Sequence, residues 1–182
     1  MKLTEIEAAG KSIGLEGSSF SIAVDSDFLV EAIINLYSRP VEAVVRELVS
    51  NAYDASLESV ENRALVIIES DKMYIKDYGT GMSPEFMRTL YTKIGHSEKR
   101  ESETAIGCYG MGRLSILAVS GSYEVITNFE GRQYTWLVWK DGKIKIDLLS
   151  EKESEIIDGV IECGTTVAFP ITDQHKWFRT CT

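Results

Sequence analysis

Cysteine is scarce in this chain and histidine scarcer. Of 182 residues only Cys108, Cys163 and Cys181 carry a thiol, an odd number without Cys-x-x-Cys spacing. That pattern supports neither a disulfide framework nor a zinc site, and it fits a reducing cytoplasm. Three prolines leave little room for a Pro-rich linker. No apolar run approaches the roughly 20 residues of a membrane span, and residues 1–17 lack the apolar centre of a signal peptide, so no membrane partner is expected. Positive charge is also in deficit. A net charge of -9 opposes the usual footprint of a nucleic-acid binder, although a local basic patch stays open for a larger assembly.

What is present reads as one globular domain. Hydrophobic residues make up 44% of the chain and charged residues 26%, which excludes wholesale disorder and is enough to bury a core. Residues 1–19 are polar and read as a flexible lead-in, residues 20–170 as the domain, and residues 171–182 as a tail or the start of a following domain. A strand is expected near 20–24 and a helix over 27–37, where apolar residues recur at helical spacing. A second helix spans 40–59, with Pro40 suited to its first turn. Two β-rich runs at 64–69 and 73–77 form a hairpin. Ser83 then caps a short helix over 85–91. Residues 92–109 are polar and aperiodic, and a connection of about 18 residues inside a compact domain is usually functional. Residues 113–120 resume an apolar helical pattern. Strands follow at 123–129, 133–139 and 143–149, with turns at Glu130-Gly131 and Asp141-Gly142, then an acidic loop at 150–158 and a last strand over 160–170.

Three constellations stand out. On the 40–59 helix, Glu47, Asn51 and Asp54 lie four and three residues apart and share one face, opposite an apolar stripe that includes Val44, Leu48 and Ala52. Asp77-Tyr78-Gly79-Thr80-Gly81-Met82 leaves a strand as a turn-rich loop. Gly107, Gly110 and Gly112 precede a helical pattern, an arrangement whose backbone amides suit an anion. No Gly-Lys-Ser/Thr follows, which excludes a P-loop, and no strand-first Gly-x-Gly-x-x-Gly points to a Rossmann site.

Together these segments resemble the GHKL superfamily of ATPases. The resemblance rests on Glu47 to Ala55, Asp77 to Met82, Ile106 to Gly112, and more weakly on Gly164-Thr165-Thr166. Their wording is nearest to the heat-shock chaperones of the ninety-kilodalton class and to MORC-like proteins. The likeness implies a Bergerat-type α/β two-layer sandwich, with a mixed, mostly antiparallel sheet, helices on one face and a long ATP lid near 92–112. ATP and Mg²⁺ are the implied cofactors. By the same resemblance Glu47 is the general base, Asn51 the Mg²⁺ ligand, and Asp77 the acceptor for the adenine amine. Gly79, Gly81 and Met82 line the base, and Thr165, with Thr166 as a rival, joins its water network. Gly107, Gly110, Met111 and Gly112 cradle the phosphates, while Lys99 and Arg113 are cations able to reach them. Asp54 supports the helix and its solvent network.

The function implied is slow ATP hydrolysis used as a conformational switch, with lid closure, possible homodimerisation on ATP binding, and a transducer-type domain or partner protein completing the site. Isolated turnover should then be weak. Two other readings remain: a non-catalytic nucleotide sensor, and an ATP-binding domain of histidine-kinase or anti-sigma type. Neither His96 nor His175 lies in a helical phosphoacceptor setting, which opposes a self-contained kinase.

Overall fold

The computed structural model describes residues 39–57, 59, 61, 63–91, 112–141 and 143–171. The expected strand at 20–24, the helix at 27–37 and residues 92–111 of the expected lid lie outside them.

Helix α1 (Pro40–Ser56) is amphipathic as its spacing requires: Val44, Leu48 and Ala52 are buried in the core. Burying each of the two larger side chains contributes about 1.5–3 kcal/mol. Strands β1 (Leu65–Ile68) and β2 (Lys72–Lys76) form the first hairpin. Helix α2 (Pro84–Thr89) starts at Ser83, whose hydroxyl accepts the Phe86 N–H at 3.1 Å. After a 3-10 helix (Gly112–Ala118) come β3 (Ser122–Phe129), β4 (Arg132–Asp141) and β5 (Lys143–Glu153). A small hairpin of β6 (Ile156–Ile157) and β7 (Val160–Ile161) leads to β8 (Gly164–Pro170).

The main sheet runs β1-β2-β8-β3-β4-β5, and its strand pairs are antiparallel. Placing β8 between β2 and β3 makes the last segment of the domain the centre of the sheet. One face carries Met73 and Ile75 of β2, Phe169 of β8, Tyr123 and Val125 of β3, and Trp136 and Val138 of β4, all buried. Against it pack α1, Met87 of α2, Tyr91, and Ile116 and Leu117 of the 3-10 helix. The opposite face begins with Lys72, Tyr74 and Lys76, which are only half-buried. The expected α/β two-layer sandwich is therefore the observed one. Trp136 and Trp139 take opposite faces as their spacing demands. Trp136 is in the core, whereas half-buried Trp139 donates to Asp147 Oδ2 at 2.6 Å.

The turn after β3 is where the sequence reading put it, and some other boundaries differ. The β3–β4 turn sits at Glu130-Gly131, where φ is 50° and 77°, the pair of positive angles that a two-residue type I′ turn needs. Residues 150–153, expected in an acidic loop, instead continue β5, with Arg132 opposite Glu153 and bonded to Glu151 at 2.8 Å. An edge strand tolerates such charge because water reaches it. The switch to strands after Ser120 is as expected, but the strand expected over 160–170 is divided between β7 and β8, which lie in different sheets, and the 113–120 helix is a 3-10 helix. Leu114, Ser115, Ile116 and Leu117 are all buried, so this segment has no solvated side for a 3.6-residue period to define.

Candidate functional site

The site forms where the C-terminal half of α1 meets the loop that leaves β2. Asp77 is the residue after β2, and its backbone N–H extends the ladder by donating to the Thr165 carbonyl at 2.8 Å. Its buried carboxylate oxygen Oδ1 accepts two backbone N–H groups, from Gly79 and from Thr165, each at 3.0 Å. One carboxylate thus closes a turn within its own loop and fixes the entry to β8.

The glycines around Asp77 are needed for close approach. A Cβ on Gly79 would stand 2.5 Å from the Ala55 carbonyl of α1. Gly164, at φ +100°, would put one 2.3 Å from the Asp77 carbonyl. Both contacts are impossible for a side chain, so the loop can lie against α1 and β8 only as glycine.

Two hydroxyls complete this bracket, and motif reading missed both. Ser56, wholly buried at the end of α1, accepts the Tyr78 N–H at 3.1 Å. Thr127 of β3 accepts the Met82 N–H at 2.7 Å, and its hydroxyl lies 3.3 Å from that of Thr165. Their signal is a sheet register, Thr127 opposite Thr165, which a local motif does not contain. The same register puts the two threonines on opposite faces: Thr165 is buried on the helix-covered face beside Thr127, while Thr166 is half-buried on the other.

On α1, Glu47 and Asn51 are half-buried and Asp54 is buried. Glu47 keeps 30% of its side-chain surface and lies 3.6 Å from the Arg46 guanidinium. Among the described residues no cluster of three His, Cys, Asp or Glu side chains could hold a metal ion. A divalent ion here would have to share its ligands with a bound anion, and the amide oxygen of Asn51 suits that use.

The model of the histidine kinase-, DNA gyrase B- and HSP90-like ATPases matches residues 37–163. The chain belongs to that family. Its relatives in this GHKL group include the endoplasmin homolog of Dictyostelium discoideum, 29% identical over 205 residues covering 94% of this chain and 25% of the relative. The chaperone protein HtpG of Chlorobium phaeobacteroides is 28% identical over 180 residues, 82% of this chain and 28% of the relative. A Herpetosiphon aurantiacus protein named as a type II restriction enzyme, HgiDII, is 27% identical over 132 residues, 69% of this chain and 21% of the relative. The chain therefore spans between a fifth and three tenths of the length of these relatives.

Within this GHKL chain, Lys99, Gly107, Gly110 and Met111 lie outside the described residues. Gly112 opens the 3-10 helix. The helix that Gly112 opens is thus 3-10 where an α-helix was expected. Arg113 is engaged at the end of α2. Its Nε donates to the Tyr91 carbonyl at 2.6 Å and its Nη2 to that of Leu90 at 3.1 Å, capping the end of α2. The same guanidinium lies 5.4 Å from the Tyr91 ring centre. Burial pushes the Tyr91 hydroxyl up to about 12, and it likewise raises that of Tyr123, its neighbour at 3.4 Å. Both phenols are neutral structural groups at physiological pH. No helix among the described residues is long and apolar enough to cross a membrane.

Proposed function

We propose that this domain binds Mg-ATP and hydrolyses it slowly, using the reaction as a conformational switch. The observation that carries the reading is the buried Asp77 bracket lying against the end of α1, the helix that carries Glu47 and Asn51, in a chain of this family. Asp77 accepts the adenine amine, a pairing that excludes guanine because its carbonyl would meet a carboxylate. Gly79, Gly81, Met82 and Thr165 shape the base site around it. Gly81, at φ +76° and with Asn128 O 2.0 Å from where its Cβ would be, keeps the loop flat enough for this.

Asn51 holds Mg²⁺ through its amide oxygen, and the ion supplies charge compensation to the phosphates when bound. Glu47, one turn earlier and still solvent-accessible, orients a water and takes its proton as general base. The glycines Gly107, Gly110 and Gly112, with Met111 and Lys99, serve the phosphate side from a segment that closes over nucleotide. ATP-driven pairing of two domains and a γ-phosphate contact from a following domain or partner complete the cycle. The relatives are several times longer, in keeping with a split site. We place the protein in the cytoplasm.

The test is ATP binding and phosphate release for the wild type and Glu47→Ala. Retained binding with release abolished supports the assignment. Unchanged release would remove Glu47 from the chemistry, binding without release even in wild type would favour a nucleotide sensor, and phosphate on a partner protein would favour a kinase-type role.

A further inference from the structure

The two edges of the main sheet are built differently. β5, at one edge, is charged along its length, with Lys143, Lys145, Asp147, Glu151, Lys152 and Glu153. Charged edge positions are a common defence against strand pairing. β1, at the other edge, is Leu65-Val66-Ile67-Ile68, with no charge and no proline, and its four side chains are between 37% and 41% exposed. Among the described residues nothing pairs with its outer side.

The backbone register says which groups point outward. Glu69 N–H donates to the Lys72 carbonyl at 2.9 Å, and the strands pair Ile67 with Tyr74 and Leu65 with Lys76. Hydrogen-bonded pairs alternate in an antiparallel ladder. Glu69, Ile67 and Leu65 therefore bond inward, and Ala64, Val66 and Ile68 direct their N–H and C=O groups to the open edge.

We infer that the β1 edge is a self-association surface whose occupant is the β1 strand of a second copy of this chain, antiparallel and two-fold symmetric about Val66. In that register Val66 exchanges both backbone bonds with its symmetry mate. Leu65 faces Ile67 of the partner subunit, Ala64 faces Ile68 of the partner subunit, and Arg63 faces Glu69 of the partner subunit. Every apolar residue of the edge meets an apolar one, and each end closes on opposite charges. This self-complementarity selects a second copy over an unrelated strand. Arg63 is held 2.9 Å from Glu61 and over the Tyr78 ring, while Glu69 accepts from Tyr74 at 3.2 Å. Both are exposed, so they exchange partners at little cost. Because each edge strand is short and each chain carries -9, the pair is weak and strengthens as salt screens the repulsion. Two-fold pairing occupies this edge in both copies at once, which closes the assembly at two.

The inference goes beyond the nucleotide reading and is tested without nucleotide, so either can fail alone. Sedimentation velocity over a concentration series should show a monomer–dimer equilibrium that salt promotes. Val66→Pro removes an outward N–H and should abolish it without breaking a bond to β2. A second readout does not depend on that variant folding. With the three native cysteines replaced by serine, Val66→Cys should oxidise to a covalent dimer, since directly bonded strand residues stand ~5.5 Å apart at Cα, within the disulfide range. Ile68→Cys, facing Ala64 of the partner subunit, should not. Glu69→Arg should weaken pairing and Arg63→Glu should restore it in the double variant. A monomer at every concentration, equal cross-linking of both cysteine variants, or assemblies beyond two would each overturn the inference.

Discussion

Replacing Asp77 by asparagine separates the two duties assigned to it. Asparagine keeps an oxygen where Oδ1 accepts the Gly79 and Thr165 N–H groups at 3.0 Å, so the turn and the β8 entry stay satisfied. What goes is charge assistance. A bond to a charged acceptor is worth about 1.5–3 kcal/mol and a neutral one about 0.5–1.5, a difference of about 1–1.5, so two bonds place the loss of stability at about 2–3 kcal/mol. Alanine instead leaves two buried N–H groups without an acceptor, at about 1–3 kcal/mol each. On the ligand side asparagine turns an amide donor where the adenine amine requires an acceptor. Losing one charged hydrogen bond there weakens ATP binding roughly ten- to a hundredfold. Urea unfolding and calorimetric ATP titration of wild type, Asp77→Asn and Asp77→Ala read the two effects separately. The reasoning fails if asparagine destabilises as much as alanine, or if it binds ATP with wild-type affinity.

Thr127→Val should cost about 1–3 kcal/mol, because the Met82 N–H loses its acceptor in a near-isosteric change, and Thr127→Ser should recover most of it; melting curves decide. Tyr91 predicts an alkaline limit to stability. Its hydroxyl ionises near its ordinary 10.0 in the unfolded chain and near 12 when folded. Between those values the unfolded state binds fewer protons, so stability that is intact below pH 10 falls by about 2.7 kcal/mol as pH rises through 12. Tyr123 shifts the same way and adds to the fall. Urea midpoints from pH 9 to 12 should show it, with a shallower decline in Tyr91→Phe.

Local rules made part of this site readable. Helical spacing alone set Glu47, Asn51 and Asp54 on one face of α1, and turn chemistry alone marked Asp77 to Gly81 as a loop leaving a strand. The two-layer arrangement followed from the resemblance, and the sheet and its helices agree with it. Ser56 and Thr127 were invisible because each acts on a backbone amide that comes near only after the sheet assembles, 22 and 45 positions away in sequence. The bonds of Arg113 to the end of α2 were hidden for a related reason. A cation beside a glycine cluster suggests an anion, yet its partners are the carbonyls ending α2. The 150–153 stretch was read by its charge, whereas its pairing with β4 decides its conformation.

The Arg113 clasp has a bearing on how such chains diversify. Leu90 and Tyr91 stand just before residues 92–111, and Arg113 just after them. One guanidinium joins the points where that stretch departs and returns. Once two points on a chain are tied, the entropy of closing what lies between them changes by only about 0.6 kcal/mol for each doubling of length. Insertions and deletions between 92 and 111 should therefore leave the sheet and α1 almost untouched. As far as stability goes, that stretch can change length, whereas the Asp77 bracket, bonded to β8 and packed on α1, cannot.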